Sequence, residues 1–291
     1  MALMLMDQMC YHDQMVSVYA LVQKLAIAHE VPATLRLQAA AVYNTGCGDL
    51  EAAVAAARQT IQEQGRNSEV SDFVRTFSNA SVSLRAAGYF DEAEEVLLKA
   101  LAATESHKID LAYSEVLTSL IYLALERGRN ADARRWWELL RIRPVRPDDK
   151  FGSVDITGLS VRLALLNSDP SSARRFLPRS WKALAREPVP FHRAYHASLF
   201  VAAELGCGRI PDDGLLTLLE GAHLVTRGAI YQAYPAYALY AGLKTAGREK
   251  RGAKLLSEYL KTFRREPFPP ATHFSKTFEK FVLLARKPRR E

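Results

Sequence analysis

The sequence predicts an all-α fold built from antiparallel helix pairs. Residues 88–101, GYFDEAEEVLLKAL, place a turn glycine before an amphipathic helix, whose apolar side chains recur every three or four residues: Ala93, Val96, Leu97, Ala100 and Leu101. An earlier stripe ends at the same glycine, with Phe77, Ala80, Leu84 and Ala87. The β-branched alternation of strands is absent. Neither helix can bury its apolar face alone, so each pair needs neighbours.

The pair repeats every 40 residues. The helix after the turn carries an alanine at a fixed position: Ala53, Ala93, Ala133, Ala173 and, two periods later, Ala253, with Asp213 in the slot between. The turn keeps the same phase, at Gly48, Gly88, Gly128, Ser168, Gly208 and Arg248. A small residue at a turn permits a positive φ or a close helix approach. Self-similarity at a fixed period is typical of a solenoid.

The stretch from Gly88 to Ala100 (GYFDEAEEVLLKA) resembles the second half of a tetratricopeptide repeat, and Phe77, Ala80 and Leu84 match its first half more loosely. The resemblance covers about residues 31–266. It implies a right-handed α-solenoid of about six repeats with terminal capping helices. The usual period is about 34 residues. The longer period here is similar to that of helical arrays in bacterial signalling regulators.

We read the chain as a single array over residues 1–291. Residues 1–30 would form an N-terminal cap helix, residues 31–266 six repeats, and residues 267–291 a closing helix and a basic tail. Two prolines in Arg141–Asp149 exclude a continuous helix there and predict a flexible connection. Within the second repeat, Asp91 is predicted to cap its helix because an acidic first turn follows.

Charge and cysteine content narrow the class of protein. The 291 residues carry a formal net charge of +7. Such a charge suits a nucleic-acid or acidic-peptide partner, or simply solvates the helix surfaces. Three distant cysteines, Cys10, Cys47 and Cys207, indicate a reducing compartment, so we expect a cytoplasmic protein. No basic stretch precedes the apolar N-terminus and no uncharged run reaches 18 residues, so we expect neither a signal peptide nor a membrane span.

No motif predicts catalysis or a cofactor. His192 and His196 have the spacing of two metal ligands on one helix, but Arg193 stands where a zinc protease has glutamate, and a surface pair is the simpler interpretation. Gly247–Lys254, GREKRGAK, departs from a phosphate-binding loop because Ala253 separates its last glycine and lysine. No helix-turn-helix is evident. We expect no enzyme, no cofactor, no metal, and no direct nucleic-acid binding.

The first helix of each pair should line the concave face of the array. The repeat phase places nine candidate partner-binding residues there: Gln38, Arg75, Ser78, Arg85, Glu115, Thr118, Tyr122, Arg162 and Tyr195. Val82 and Ser198 share this phase, and Tyr231 and Tyr234 are further candidates for exposed contacts. Arginines beside tyrosines are typical of interfaces. The lysine and asparagine clamp by which the family binds a chaperone's C-terminus is not matched, since only Asn79 fits.

These observations predict a non-enzymatic scaffold that binds a protein or an extended or acidic peptide. The alternative is a sensor or regulatory module of a bacterial signalling or transcription-control pathway, in which a ligand changes the superhelix. The partner, the oligomeric state and the curvature are not fixed by the sequence.

Overall fold

A computed structural model describes residues 19–26, 31–64, 70–107, 110–142, 150–187, 190–226 and 233–261, with residues 276 and 279. These residues are helical or in short turns, and no strand occurs among them. Contacts divide the chain into two compact units, whose described parts are mainly residues 19–142 and 150–261. The all-α class is therefore confirmed. A single continuous array stays a prediction.

The first unit contains a helix at residues 19–26 and six longer helices: α1 (Ala33–Gly46), α2 (Leu50–Gln64), α3 (Val70–Ala86), α4 (Phe90–His107), α5 (Asp110–Glu126) and α6 (Asn130–Arg141). Each helix packs against the next along the chain, and the first helices α1, α3 and α5 also pack against one another in order. The alanines Ala53, Ala93 and Ala133 are fully buried in the second helices. A small side chain there lets the paired helices approach closely.

Residues 150–261 of the second unit, as far as they are described, also form six α-helices: α7 (Lys150–Leu166), α8 (Pro170–Phe176), α9 (Pro190–Gly206), α10 (Asp213–Thr226), α11 (Ala233–Thr245) and α12 (Glu249–Leu260). A short 3-10 helix, Trp181–Arg186, follows α8. The first helices α7, α9 and α11 again contact one another in order. Helices thus pack in neighbouring pairs in this unit as in the first.

The turn inside each pair confirms the repeat phase up to residue 208. Among the described residues, positive φ angles occur at Gly48, Gly88, Gly128, Ser168, Gly208 and Gly247. At each of these turns the amide of the positive-φ residue donates to the carbonyl three residues back, and the next amide donates to the carbonyl five residues back. This is the Schellman motif, which favours glycine because an L side chain is strained in the left-handed region. Ser168 is the exception, with φ 57°.

The prediction for the last pair was one residue out of register. The turn residue is Gly247 rather than Arg248, and the close helix crossing occurs at Gly252, which is buried, whereas Ala253 is exposed. A Cβ added to Gly252 would lie 3.2 Å from the carbonyl oxygen of Tyr240 and from the Cβ of Leu243. Glycine at this position therefore allows the closest approach between α11 and α12.

The fifth pair departs from the pattern, as Asp213 in its alanine position indicates. After Gly208 the chain runs through Pro211 before α10 begins at Asp213, so the helix starts three residues later than in the other pairs. Leu216, fully buried, takes the place of the packing alanine. Asp213 is exposed and pairs with Arg248 at 2.5 Å.

Asp91 does not cap its helix, contrary to the prediction. Helix α4 begins at Phe90, and the amide of Ala93 donates to the carbonyl of Tyr89, so Tyr89 occupies the capping position. Asp91 lies in the first turn, where its negative charge interacts favourably with the helix dipole. In two other second helices an aspartate occupies the N-cap position that Tyr89 holds in α4. The Asp169 carboxylate accepts a hydrogen bond from the amide of Ser172, and the Asp212 carboxylate accepts one from the amide of Gly214.

Part of the predicted organisation falls outside the described residues. This applies to most of the N-terminal cap and the closing helix, to the connection at residues 143–149, and to Cys10 and Tyr231. Within residues 1–30 the described helix at 19–26 stacks Tyr19 on Tyr43, with ring centroids 4.2 Å apart.

Candidate binding surface

In the first unit, the first helices carry a polar face centred on Arg85 and Tyr122. The Nε of Arg85 lies 3.2 Å from a carboxylate oxygen of Glu126, and both side chains are nearly buried. The Arg85 guanidinium also lies over the ring of half-buried Tyr122, 5.8 Å from its centroid. The ion pair and the cation–π contact fix the orientation of these side chains. Arg85 therefore holds Tyr122 in a defined position between α3 and α5.

The residues around Tyr122 extend this face along α5. Glu115 is exposed and Thr118 is half-buried. Positions 115, 118 and 122 lie on one side of a helix, since they are separated by three and four residues. Arg75 on α3 is exposed and pairs with Asp72 at 3.0 Å. The structure thus leaves these predicted residues at least partly accessible, but both arginines already have acidic partners.

Other predicted residues of the first unit contribute to helix packing. The Gln38 side-chain amide donates to the hydroxyl of Thr76 at 2.6 Å, which joins α1 to α3. The hydroxyls of Thr45 and Ser83 join the same helices at 2.7 Å. Ser78 is buried, and its hydroxyl has no hydrogen-bond partner in the described structure. The expectation that Ser78 faces a partner on an open surface was wrong, because the neighbouring helices cover it.

In the second unit, Arg162 and Tyr195 are buried, contrary to the expectation that they face outward. The Arg162 guanidinium lies 4.9 Å from the ring centroid of Tyr234, and the Tyr195 and Tyr234 rings lie 6.2 Å apart. The Tyr195 ring passes so close to Gly158 that a Cβ there would lie 2.5 Å from it. This cluster joins α7, α9 and α11 in the interior of the unit. Ser198 is likewise fully buried.

Tyr234, a candidate for an exposed contact, also lies in the interior. Tyr234 and Tyr237 are buried, and burial raises the pKa of both phenols. Tyr259 of α12 is buried as well, with its ring 5.6 Å from that of His223. Tyr234 was expected at the surface, which is wrong because α9 and α11 pack against each other.

His192 and His196 lie in a largely buried environment rather than on a helix surface. Burial lowers the pKa of both imidazoles, and the carboxylate of Glu187, 3.8 Å from the Nδ1 of His192, only partly opposes this. The Nε2 of His196 has no hydrogen-bond partner among the residues that the structure describes. The surface-pair interpretation was therefore wrong. Within the described ranges, no group of three potential metal ligands occurs.

Two surface features were not anticipated. An ion pair at 2.8 Å connects the second helices of two successive pairs, between Arg58 of α2 and Glu92 of α4. Another, also at 2.8 Å, joins Glu94 of α4 to Arg127 in the turn after α5. In the second unit, the segment from Arg174 to Arg186 carries exposed cations. A separate charge count for each half of the sequence indicates the second feature, whereas the net charge of the whole chain obscures it.

The chain gives no match to a known protein family, to a curated protein or to a solved structure. Among the described helices, none is both long and apolar enough to cross a membrane.

Proposed function

We propose that the chain is a non-enzymatic scaffold that binds a protein or peptide segment through the first-helix face of its first unit. This face is defined by Arg75, Arg85, Glu115, Thr118 and Tyr122. We further propose that the helix pairs are tetratricopeptide-like repeats, about six in number and stacked in the right-handed sense, and that the protein acts in the cytoplasm.

The observation that carries this proposal is the Arg85–Tyr122 arrangement. Arg85 is fixed by Glu126 and by the Tyr122 ring, so Tyr122 offers a half-buried aromatic surface at low conformational cost. Thr118 and Glu115 add polar groups on the same side of α5. Preordered aromatic and arginine side chains surrounded by polar groups are typical of interface hot spots.

The regular turns support the repeat interpretation. Five positive-φ residues lie 40 positions apart, from Gly48 to Gly208, and each ends its first helix with the same two hydrogen bonds. Successive first helices are thereby set side by side within each unit. Such an arrangement presents a continuous row of side chains to an extended segment.

The experiment is affinity capture from native lysate with quantitative mass spectrometry. Thr118→Arg places a long charged side chain on the face and should reduce capture of the partner by about tenfold. Ser106→Arg is the matched control, since Ser106 is an exposed hydroxyl residue on the second helix α4. Equal capture by both variants, with unchanged melting temperatures, would refute the proposal for this face.

A further inference from the structure

The two halves of the chain differ in charge. Residues 1–145 contain 14 Lys and Arg against 18 Asp and Glu, whereas residues 146–291 contain 25 against 14. The basic excess of the chain therefore belongs to the second half. A charge asymmetry of this size indicates that the second unit meets an anionic partner.

Part of this excess is displayed where the repeat is interrupted. Helix α8 has only seven residues, because the chain leaves the helix at Leu177 in an extended conformation and Pro178 follows. The Arg174 guanidinium donates to the carbonyl oxygens of Pro178 and Arg179, each at 2.7 Å. These bonds stabilise the interruption, so the segment that follows has a defined conformation.

The side chains displayed there are cations, and the charge of Arg175 adds to the Ser172 hydrogen bonds that lower the pKa of the Asp169 carboxyl. Arg175, Arg179, Lys182 and Arg186 are exposed, and none forms an ion pair within the described part of the chain. By contrast, Arg251 of the second helix α12 is neutralised by Glu220 at 2.7 Å. The cations in and after α8 therefore remain available to an external anion.

Exposed apolar side chains occur in the same segments, Phe176 next to Arg175 in α8 and Ile210 next to Arg209. Phe176 is 52% exposed and Ile210 is 64% exposed. The Glu204 carboxylate joins their segments, since its oxygens lie 3.5 Å from Arg174 and 3.3 Å from Arg209. We call Arg175, Phe176, Arg179, Arg209 and Ile210 the basic patch.

We propose that the basic patch docks an acidic peptide segment that carries apolar side chains. This rests on the proposed function of the chain as a peptide-binding scaffold, and it places the acidic part of the partner on the second unit. Arginine forks bind carboxylates, while Phe176 and Ile210 offer apolar contact area. Nucleic acid fits less well, because an exposed aliphatic side chain such as Ile210 gives little stacking surface to a base.

Binding is tested by fluorescence anisotropy with a labelled synthetic peptide that alternates Glu with Leu and Phe. Arg175→Glu/Arg179→Glu should weaken binding by at least about tenfold, because two arginines that pair with carboxylates of the peptide are lost and the new glutamates repel those carboxylates. Lys250→Glu/Lys261→Glu is the matched control, since these exposed lysines, in α12 and at its C-cap, give the same change in net charge. Their replacement should leave the affinity within about twofold, because exposed charges away from the interface are screened by salt.

Two further probes fix the chemistry of the partner. Replacing Leu and Phe in the peptide by Ser should weaken binding, and Ile210→Ser should abolish that difference. Tighter binding of a single-stranded oligonucleotide than of the peptide, lost in Arg175→Glu/Arg179→Glu, would overturn the peptide assignment. Equal loss of affinity in both charge variants would overturn the patch itself.

Cysteine footprinting locates the bound peptide independently. Cys207 is half-buried among Arg174, Glu204 and Arg209, and Cys47 of the first unit is exposed. The peptide should slow alkylation of Cys207 and leave that of Cys47 unchanged. Protection of Cys47 alone would overturn the basic patch while supporting peptide binding by the first unit. Loss of lysate capture in Thr118→Arg, without any binding of the synthetic peptide, would likewise leave the proposed function standing and remove this inference.

Discussion

Ser168→Gly should stabilise the protein, because Ser168 is the described non-glycine residue that adopts a positive φ, 57°. An L residue in the left-handed region costs roughly 1–2 kcal/mol. Glycine removes this strain but loses about 0.5–1 kcal/mol of conformational entropy on folding. The difference between the two ranges leaves a gain of about 0–1.5 kcal/mol, which raises the melting temperature by at most about 6 °C for a unit of this size.

Two controls make this prediction specific to the turn. Gly208→Ser introduces the same strain at φ 69° in the same unit and should lower stability by a similar amount. Ser171→Gly, three residues away in α8, replaces an exposed helical serine and should lower stability by about 0.5 kcal/mol. Thermal and urea denaturation followed by far-UV circular dichroism measures all three. A destabilising Ser168→Gly would refute the left-handed turn and, with it, the 40-residue phase at this repeat.

Three other predictions follow from the packing and the buried groups. Ala93→Leu should lower the free energy of unfolding by roughly 1–3 kcal/mol, because it overpacks a fully buried site. At the exposed positions, Ala253→Leu and Asp213→Leu should change it by less than about 0.5 kcal/mol. Equal effects of the three substitutions in denaturation experiments would contradict the helix crossings. Burial lowers the pKa values of His192 and His196, so these imidazoles are protonated more readily in the unfolded chain than in the folded one. The free energy of unfolding should therefore fall as the pH drops through about 6.5. Melting temperatures that rise toward acid pH, or a pH profile unaltered by His192→Gln/His196→Gln, would contradict this direction. Arg162→Glu should destabilise the second unit by roughly 3 kcal/mol because it removes the cation from the Tyr234 ring and buries a carboxylate, so an unchanged urea midpoint would contradict the buried position of Arg162.

The turn positions were predictable from the sequence because their conformation favours glycine. Gly48, Gly88, Gly128 and Gly208 all have the expected left-handed conformation, and Ser168 keeps the phase even without glycine. The phase shifts at the last pair because Gly247 follows Gly208 by 39 residues (247 − 208) instead of 40. The shift was missed because two small residues, Gly252 and Ala253, lie side by side. Periodicity alone does not decide which of two such neighbours faces the helix crossing.

The candidate surface was less predictable from the sequence. The spacing of apolar residues indicates one buried face on each helix, whereas these first helices each have two. Each packs against its own partner and against the next first helix, as α9 does with α10 and α11. Arg162, Tyr195 and Ser198 were assigned to an open face and are buried by this second contact. On α5, Glu115, Thr118 and Tyr122 lie partly exposed, in agreement with the phase.

Hydroxyl-radical footprinting of the chain with and without a captured partner tests the proposed binding face most directly. Tyr122 is half-buried on the first-helix face, and exposed Tyr89 precedes a second helix, where Arg58 lies 4.7 Å from its ring centroid. The two tyrosines belong to the same unit and report on different sides of it. The account predicts that the partner reduces oxidation of Tyr122 and leaves that of Tyr89 unchanged. Protection of Tyr89 with unchanged oxidation of Tyr122 would contradict it.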